Sequence, residues 1–203
     1  MRRFPADAGA GKSNSATPLA KGDFTIREEA GVCYLTPRIP GQEWQRAAQA
    51  GLSFRRARDA DLPFLARVHA ASGADAFAAA PWPEAKKAAF VNMQFNLQHL
   101  HQRKHHPQAD WLVIMRGGED AGRLYLERRG SWHRIIDLAL LPEHRGKGAG
   151  EALLRDLMDE TAACGKSLWI HVEKINPAMR LFRRLGFTVE EDNGLYEQLQ
   201  WKR

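Results

Sequence analysis

Arg145-Gly146-Lys147-Gly148-Ala149-Gly150 stands between an apolar run that ends at Leu141 and an amphipathic run that opens at Gly148. The first N–H groups of a helix have no intrahelical partner, and at such a turn they point into the loop. The helix dipole adds partial positive charge at the same place. Glycines let an anion approach the backbone closely, and Arg145 and Lys147 add two full charges. Strand, glycines, cations and helix together predict a pyrophosphate site. A turn that merely joins strand to helix is the plain alternative. Two other glycine-rich signatures do not fit. A dinucleotide fingerprint counted from Gly146 would need glycine where Glu151 stands. Gly11-Lys12-Ser13 matches the end of a P-loop, but its first position is Ala6 and no apolar strand precedes it.

Outward from the turn, the pattern alternates between strand and helix. Leu153, Leu154, Leu157, Met158 and Thr161 recur at helical spacing, predicting a helix from Gly148 to Cys164. Arg134 to Leu141 reads as the strand before the turn and Leu168 to Val172 as the strand after the helix. Asn176 to Leu185 reads as a short helix, with Asn176-Pro177 as its capping signature and Gly186 as its stop. Leu195 to Trp201 is a final strand. Upstream, Leu52 to Arg56 alternates like a strand, and Asp59 or Asp61 can cap a helix carrying Leu62, Leu65, Val68 and His69. Glu84 to about His106 forms a long helix stopped by Pro107. Trp111 to Met115 and Leu124 to Leu126 are strands, the first turned by Gly117-Gly118. This order implies a mixed α/β sheet with helices packed on it. Val32 to Leu35 can form a short strand and Trp44 to Ala50 a short helix. Residues 23–51 therefore read as an N-terminal extension of no evident role, and residues 52–203 as the main domain. Residues 1–22, rich in Ala, Gly, Ser, Pro and Lys, read as a disordered tail.

Composition narrows the function classes. The chain has 203 residues, 44% of them hydrophobic, enough for a core but with no run that would span a membrane. The basic N-terminus lacks an apolar segment behind it, so no secretion signal is read and a cytoplasmic location is expected. Cys33 and Cys164 fit no ligand spacing and read as free thiols. The net charge of +6 suits an anionic ligand. No basic stripe with interleaved aromatics argues for nucleic acid. His101 and His105 share a helix face, but no third ligand accompanies them, and no metal is expected.

Arg145, Gly148 and Gly150 satisfy the pattern [RQ]-x-x-G-x-[GA], and in this the sequence resembles the GNAT superfamily of acetyltransferases. Leu138 to His144 looks like the family's fourth strand and its exit loop. Asn176-Pro177-Ala178-Met179-Arg180-Leu181-Phe182-Arg183-Arg184-Leu185-Gly186-Phe187 looks like its later helix, and Phe54 to Ala57 followed by Asp61 like its opening strand and helix. The resemblance covers about residues 52–201. It implies an α+β fold with a mixed, mostly antiparallel central sheet, flanking helices and a splayed parallel strand pair. It also implies acetyl-CoA as cosubstrate and transfer of its acetyl group to a primary amine, on a small molecule or on a protein N-terminus or lysine. By resemblance, backbone groups of Leu138, Ala139 and Leu140 would bond the pantetheine. Residues Arg145, Gly146, Lys147, Gly148, Ala149 and Gly150 would take the diphosphate, with Asn176 and Phe182 beside the thiol arm. The family commonly has Tyr where this chain has Phe182, and Phe cannot protonate a thiolate. A non-catalytic acyl-CoA-binding regulatory domain is the alternative that this departure favours. The resemblance also admits a homodimer.

Asp137 is the charged residue within the apolar strand Ile135 to Leu141, and it is the first candidate base. An unpaired carboxylate there would be costly and basic. The competing readings are an ion pair with Arg123 or Arg134, or exposure to the cleft. Glu173, just past the following strand, is the second candidate base, with a solvated loop acid as its ordinary explanation. His171 reads as a core or cleft-lining residue. Tyr196 is the candidate acid, its ordinary explanation being a packed ring with an exposed hydroxyl. Asn176 has a structural explanation as a cap. Trp82, between two prolines, is a lid or a loop anchor.

Overall fold

The structure, a computed structural model, describes residues 24–29, 32–37, 44–78 and 81–203. The tail expected over residues 1–22 lies outside them. The described strands are β1 (Phe24–Glu29), β2 (Val32–Pro37), β3 (Leu52–Arg56), β4 (Asp110–Arg116), β5 (Glu119–Arg128), β6 (Trp132–Leu140), β7 (Ser167–Glu173), β8 (Thr188–Asp192) and β9 (Tyr196–Trp201). They form a single sheet in the order β1-β2-β3-β4-β5-β6-β7-β9-β8. Every neighbouring pair is antiparallel except β6 and β7, which run parallel. The helices are α1 (Gln45–Gln49), α2 (Leu62–Ala78), α3 (Glu84–His105), α4 (Ala149–Ala163) and α5 (Met179–Arg184).

The α4 helix forms as its spacing predicts. Leu153, Leu154, Leu157, Met158 and Thr161 are buried against the sheet, where Leu112, Leu124, Leu126, Ile135, Leu168 and Ile170 meet them. Each of these buried leucines contributes about 2 kcal/mol of burial. On the opposite face, α2 and α3 cover β4 through Leu65, Phe95, Val113 and Met115. The predicted helix over 176–185 is shorter than expected. Asn176 Oδ1 accepts from the Ala178 N–H (2.9 Å), so residues 176–178 form a capping turn and α5 begins at Met179. Gly186, at φ +87°, closes α5, with the Phe187 N–H returning to Phe182 O.

The segment before β3 has a structural role that its sequence does not disclose. Trp44 and Ala47 lie in the main core. The α1 helix is capped from a distance, since Asp156 of α4 accepts from the Ala47 N–H (2.8 Å). Trp44 Nε1 donates to Glu160 (2.8 Å), which also pairs with Arg128.

His133 closes this buried network. It is 1% exposed, and its Nδ1 lies 3.3 Å from Thr161 Oγ1. Thr161 donates its own proton to Leu157 O, so it accepts from His133 Nδ1, leaving Nε2 to accept from Lys166. Burial pushes His133 down to about 4, and it folds as the neutral ring. The unfolded chain takes up this proton near pH 6.5. The stability that this group contributes is therefore complete above about 6.5 and declines as pH falls toward 4. The His133 share of the loss seen by urea unfolding between pH 7 and pH 5 should be about 2 kcal/mol, with His69 and His99, also held below their ordinary values, adding in the same direction. His133→Gln should reduce the slope by that share; an unchanged slope would remove His133 as a contributor.

Candidate active site

The ladder between β6 and β7 runs from Trp132↔Ser167 to Ile135↔Ile170 and stops. Both strands continue, β6 to Leu140 and β7 to Glu173, without pairing with each other. On the other side of β6, the pairing with β5 steps from Leu126↔Ile135 to Tyr125↔Asp137, so Ile136 is an extra, unpaired residue. A bulge bends its strand and increases the local twist. This one falls at the residue where β6 leaves β7, which supplies a local cause for the parting. Ala139 turns its backbone groups to β5, while Leu138 and Leu140 turn theirs to the gap; all three residues are partly exposed.

The glycine turn stands at the open end of the gap. Gly146 and Gly148 have φ of +69° and +75°, a conformation that L side chains rarely adopt. Gly150 lies inside α4 and has no such requirement; a Cβ there would meet nothing within 4 Å. Among the described residues, no protein acceptor takes the N–H groups of residues 146–151. Ala149 is buried beneath the turn. The two cations brace it. Arg145 Nε donates to Leu140 O (2.7 Å) and Nη2 to Ala71 O (3.0 Å), while Lys147 Nζ donates to Glu143 O (2.9 Å). Their charge remains at the turn, and Arg145 also ties it to α2. Glu151, in the first turn of α4, is bound by Arg155 and Arg184 and held below the usual carboxylate range by them.

The candidate side chains fall into two groups on the sheet face that α2 partly covers. Asp137 is not the unpaired carboxylate that its apolar strand suggests. Its Oδ2 lies 2.7 Å from Arg123 Nη2, and Arg134 lies instead opposite Glu127. Glu173 and Tyr196 are register partners on β7 and β9, and the Tyr196 hydroxyl donates to Glu173 Oε1 (2.9 Å). Burial, then the neighbouring carboxylate, pushes Tyr196 up. His171 is exposed and bonds Gln198 (2.8 Å). Phe182 is 4% exposed and packs edge-on against Phe187 in the main core, away from solvent. Trp82 packs edge-on against Phe90, with Lys86 over its ring, as a loop anchor does. His69 of α2 reads from the sequence only as part of a helix face. Burial, then Arg123, holds it below its ordinary value, and only the tertiary fold places it near Asp137. The described residues contain no group of three or more His, Cys, Asp or Glu able to hold a metal, and no helix long and apolar enough to cross a membrane.

A mixed sheet whose parallel pair parts beside a glycine-headed helix offers an extended ligand a strand edge and its phosphates a helix head. The model of the acetyltransferase (GNAT) family matches residues 74–187, and the chain belongs to that family. Streptothricin acetyltransferase of Streptomyces lavendulae is 39% identical over 66 residues, which are 31% of this chain and 35% of that protein. The L-methionine sulfoximine/L-methionine sulfone acetyltransferase of Salmonella typhimurium is 48% identical over 50 residues, 24% of this chain and 29% of that one. The chain thus spans about a third of the length of these curated relatives. Among solved structures, the PaiA N-acetyltransferase of Thermoplasma acidophilum, crystallised with coenzyme A, superposes with a TM-score of 0.58 at 19% identity, over 75% of this chain and 99% of that one. RimL, a ribosomal L7/L12 alpha-N-protein acetyltransferase, superposes at 0.54 and 19% identity over 88% and 99%. These two likenesses share the fold.

Proposed function

We propose that the protein is an acetyl-CoA-dependent N-acetyltransferase acting on a primary amine. The observation that carries this reading is the gap between β6 and β7, open past Ile135↔Ile170 and headed by the glycine turn. An extended thiol arm fits such a gap as an added strand would, bonding the backbone of Leu138 and the Leu140 N–H, on either side of Ala139. The diphosphate fits the unpartnered N–H groups of residues 146–151, aided by the dipole of α4 and the charges of Arg145 and Lys147. Asn176 and Phe182 act indirectly, one capping α5 and the other fixing it in the core beside the gap.

In this reading the amine enters from the α2 side of the sheet. Asp137 accepts its proton, directly or through one water, as the nitrogen attacks the thioester carbon. A backbone N–H at the gap edge stabilises the charge that develops on the carbonyl oxygen. The C–S bond breaks and CoA leaves as a thiolate. A thiolate is a far better leaving group than an alkoxide and can depart without a dedicated donor, which suits a chain with Phe182. The Tyr196 hydroxyl is committed to Glu173, so we assign this pair to seating the acceptor.

Thiol release from acetyl-CoA in the presence of a panel of primary amines tests the reading. Amine-dependent release is expected. The buried, hydroxyl-free Phe182 favours a second reading, a binding module. Stabilisation by CoA with no release on any amine would establish that one instead.

A further inference from the structure

We propose that Arg123 is a positioning residue for Asp137, and that it couples the base to helix α2. The inference rests on the reading of Asp137 as the base. Arg123 projects from β5 and its side chain is 4% exposed. One guanidinium nitrogen, Nη2, holds Asp137 Oδ2 at 2.7 Å. The other, Nη1, donates to the Leu65 carbonyl of α2 at 3.0 Å. A guanidinium is a rigid planar fork, so fixing one arm to α2 fixes where the other arm can hold the carboxylate. Among the described residues, no other group is bonded to Asp137. Its second oxygen, on a side chain 14% exposed, is left for an incoming amine or water.

Stability alone does not explain this arrangement. A buried ion pair is often no more stable than apolar residues of the same volume. Arg123 Nε and the hydroxyl of neighbouring Tyr125, moreover, are both buried without a hydrogen bond of good geometry, although the two side chains lie close enough to interact. The guanidinium is thus placed by Asp137 and the Leu65 carbonyl, at the expense of its own third donor. The ladder register supports the same conclusion. Asp137 stands opposite Tyr125 because of the bulge at Ile136, and this brings its carboxylate within reach of Arg123. The bulge that opens the cofactor gap therefore also delivers the base to its holder.

Kinetics of four variants test the proposal: Asp137→Asn, Arg123→Met, Arg123→Lys and the double variant. CoA titration first counts the folded sites in each preparation. Arg123→Met should lower kcat about 30- to 100-fold, the scale of a misplaced catalytic group, with KM for acetyl-CoA unchanged. Arg123→Lys should recover about a third to a tenth of the wild-type rate, since it keeps the charge but not the fork. The double variant should be no slower than Asp137→Asn within about threefold, because Arg123 acts only through Asp137. Should Arg123→Met fail to fold, Arg123→Lys and the double variant carry the test, since neither leaves an unpaired charge. Multiplying effects in the double variant, or unchanged kcat in either Arg123 variant, would overturn the proposal. A wild-type rate for Asp137→Asn alone would instead reject Asp137 as the base, and the inference with it.

Discussion

Asp137→Asn lowers kcat by about 10²- to 10³-fold and leaves CoA affinity within about a factor of two. The magnitude is that of a general base removed. The selectivity follows from position. Asp137 lies on the α2 face of β6, whereas the residues assigned to the cofactor lie at the free strand edge and at the turn beyond Leu141. Asn keeps the shape of the side chain and can still accept from Arg123, but it cannot take a proton. Loss of the carboxylate also leaves the Arg123 charge buried without a counter-ion, so Tm should fall as well. Rate and stability must therefore be separated by normalising to titrated sites. A normalised kcat within threefold of wild type would place the proton transfer elsewhere, with Glu173 next in line.

Gly150→Leu weakens CoA binding by at least about 30-fold, roughly 2 kcal/mol, while Tm stays level or rises. The three glycines of the turn are not equivalent. Gly146 and Gly148 are needed by the backbone itself, and an L residue in the left-handed region costs about 1–2 kcal/mol whatever else happens. Gly150 has no such requirement, and in a helix Leu is about 0.8 kcal/mol better than Gly. Folding therefore gives no reason for glycine at 150, and a ligand close to the backbone does. Side chains in a helix lean toward its N-terminus, so Leu at this second position of α4 would cover the unpartnered N–H groups of the turn. Unaltered affinity in a folded Gly150→Leu protein would detach the turn from the diphosphate.

Much of this site is legible along the chain because its signals are local. The glycine turn, the apolar strand before it and the amphipathic α4 occupy one continuous stretch, and period and capping chemistry declare each of them. Other parts depend on pairings distant in sequence. Asp137 could face Arg123 or Arg134, and only the bulge at Ile136 decides between them. Glu173 and Tyr196 are 23 residues apart and become a hydrogen-bonded pair through the β7–β9 register. Phe182 sits on an apolar helix face, but whether that face meets the gap or the core depends on how α5 docks. It meets the core. The β8 strand escapes sequence reading for a different reason. Every residue of Thr188–Asp192 is exposed, so no buried face imposes alternation. Trp44 and Ala47 complete the core from a short helix whose cap, Asp156, lies on α4.

Amide hydrogen exchange of the wild-type protein, with and without saturating CoA, tests the central claim most directly. That claim is that a thiol-bearing nucleotide lies along the unpaired edge of β6, its phosphates on the head of α4. Protection should rise at residues 138, 140 and 146–151 together. Bound CoA with those amides unchanged, and protection confined to another face of the sheet, would contradict it.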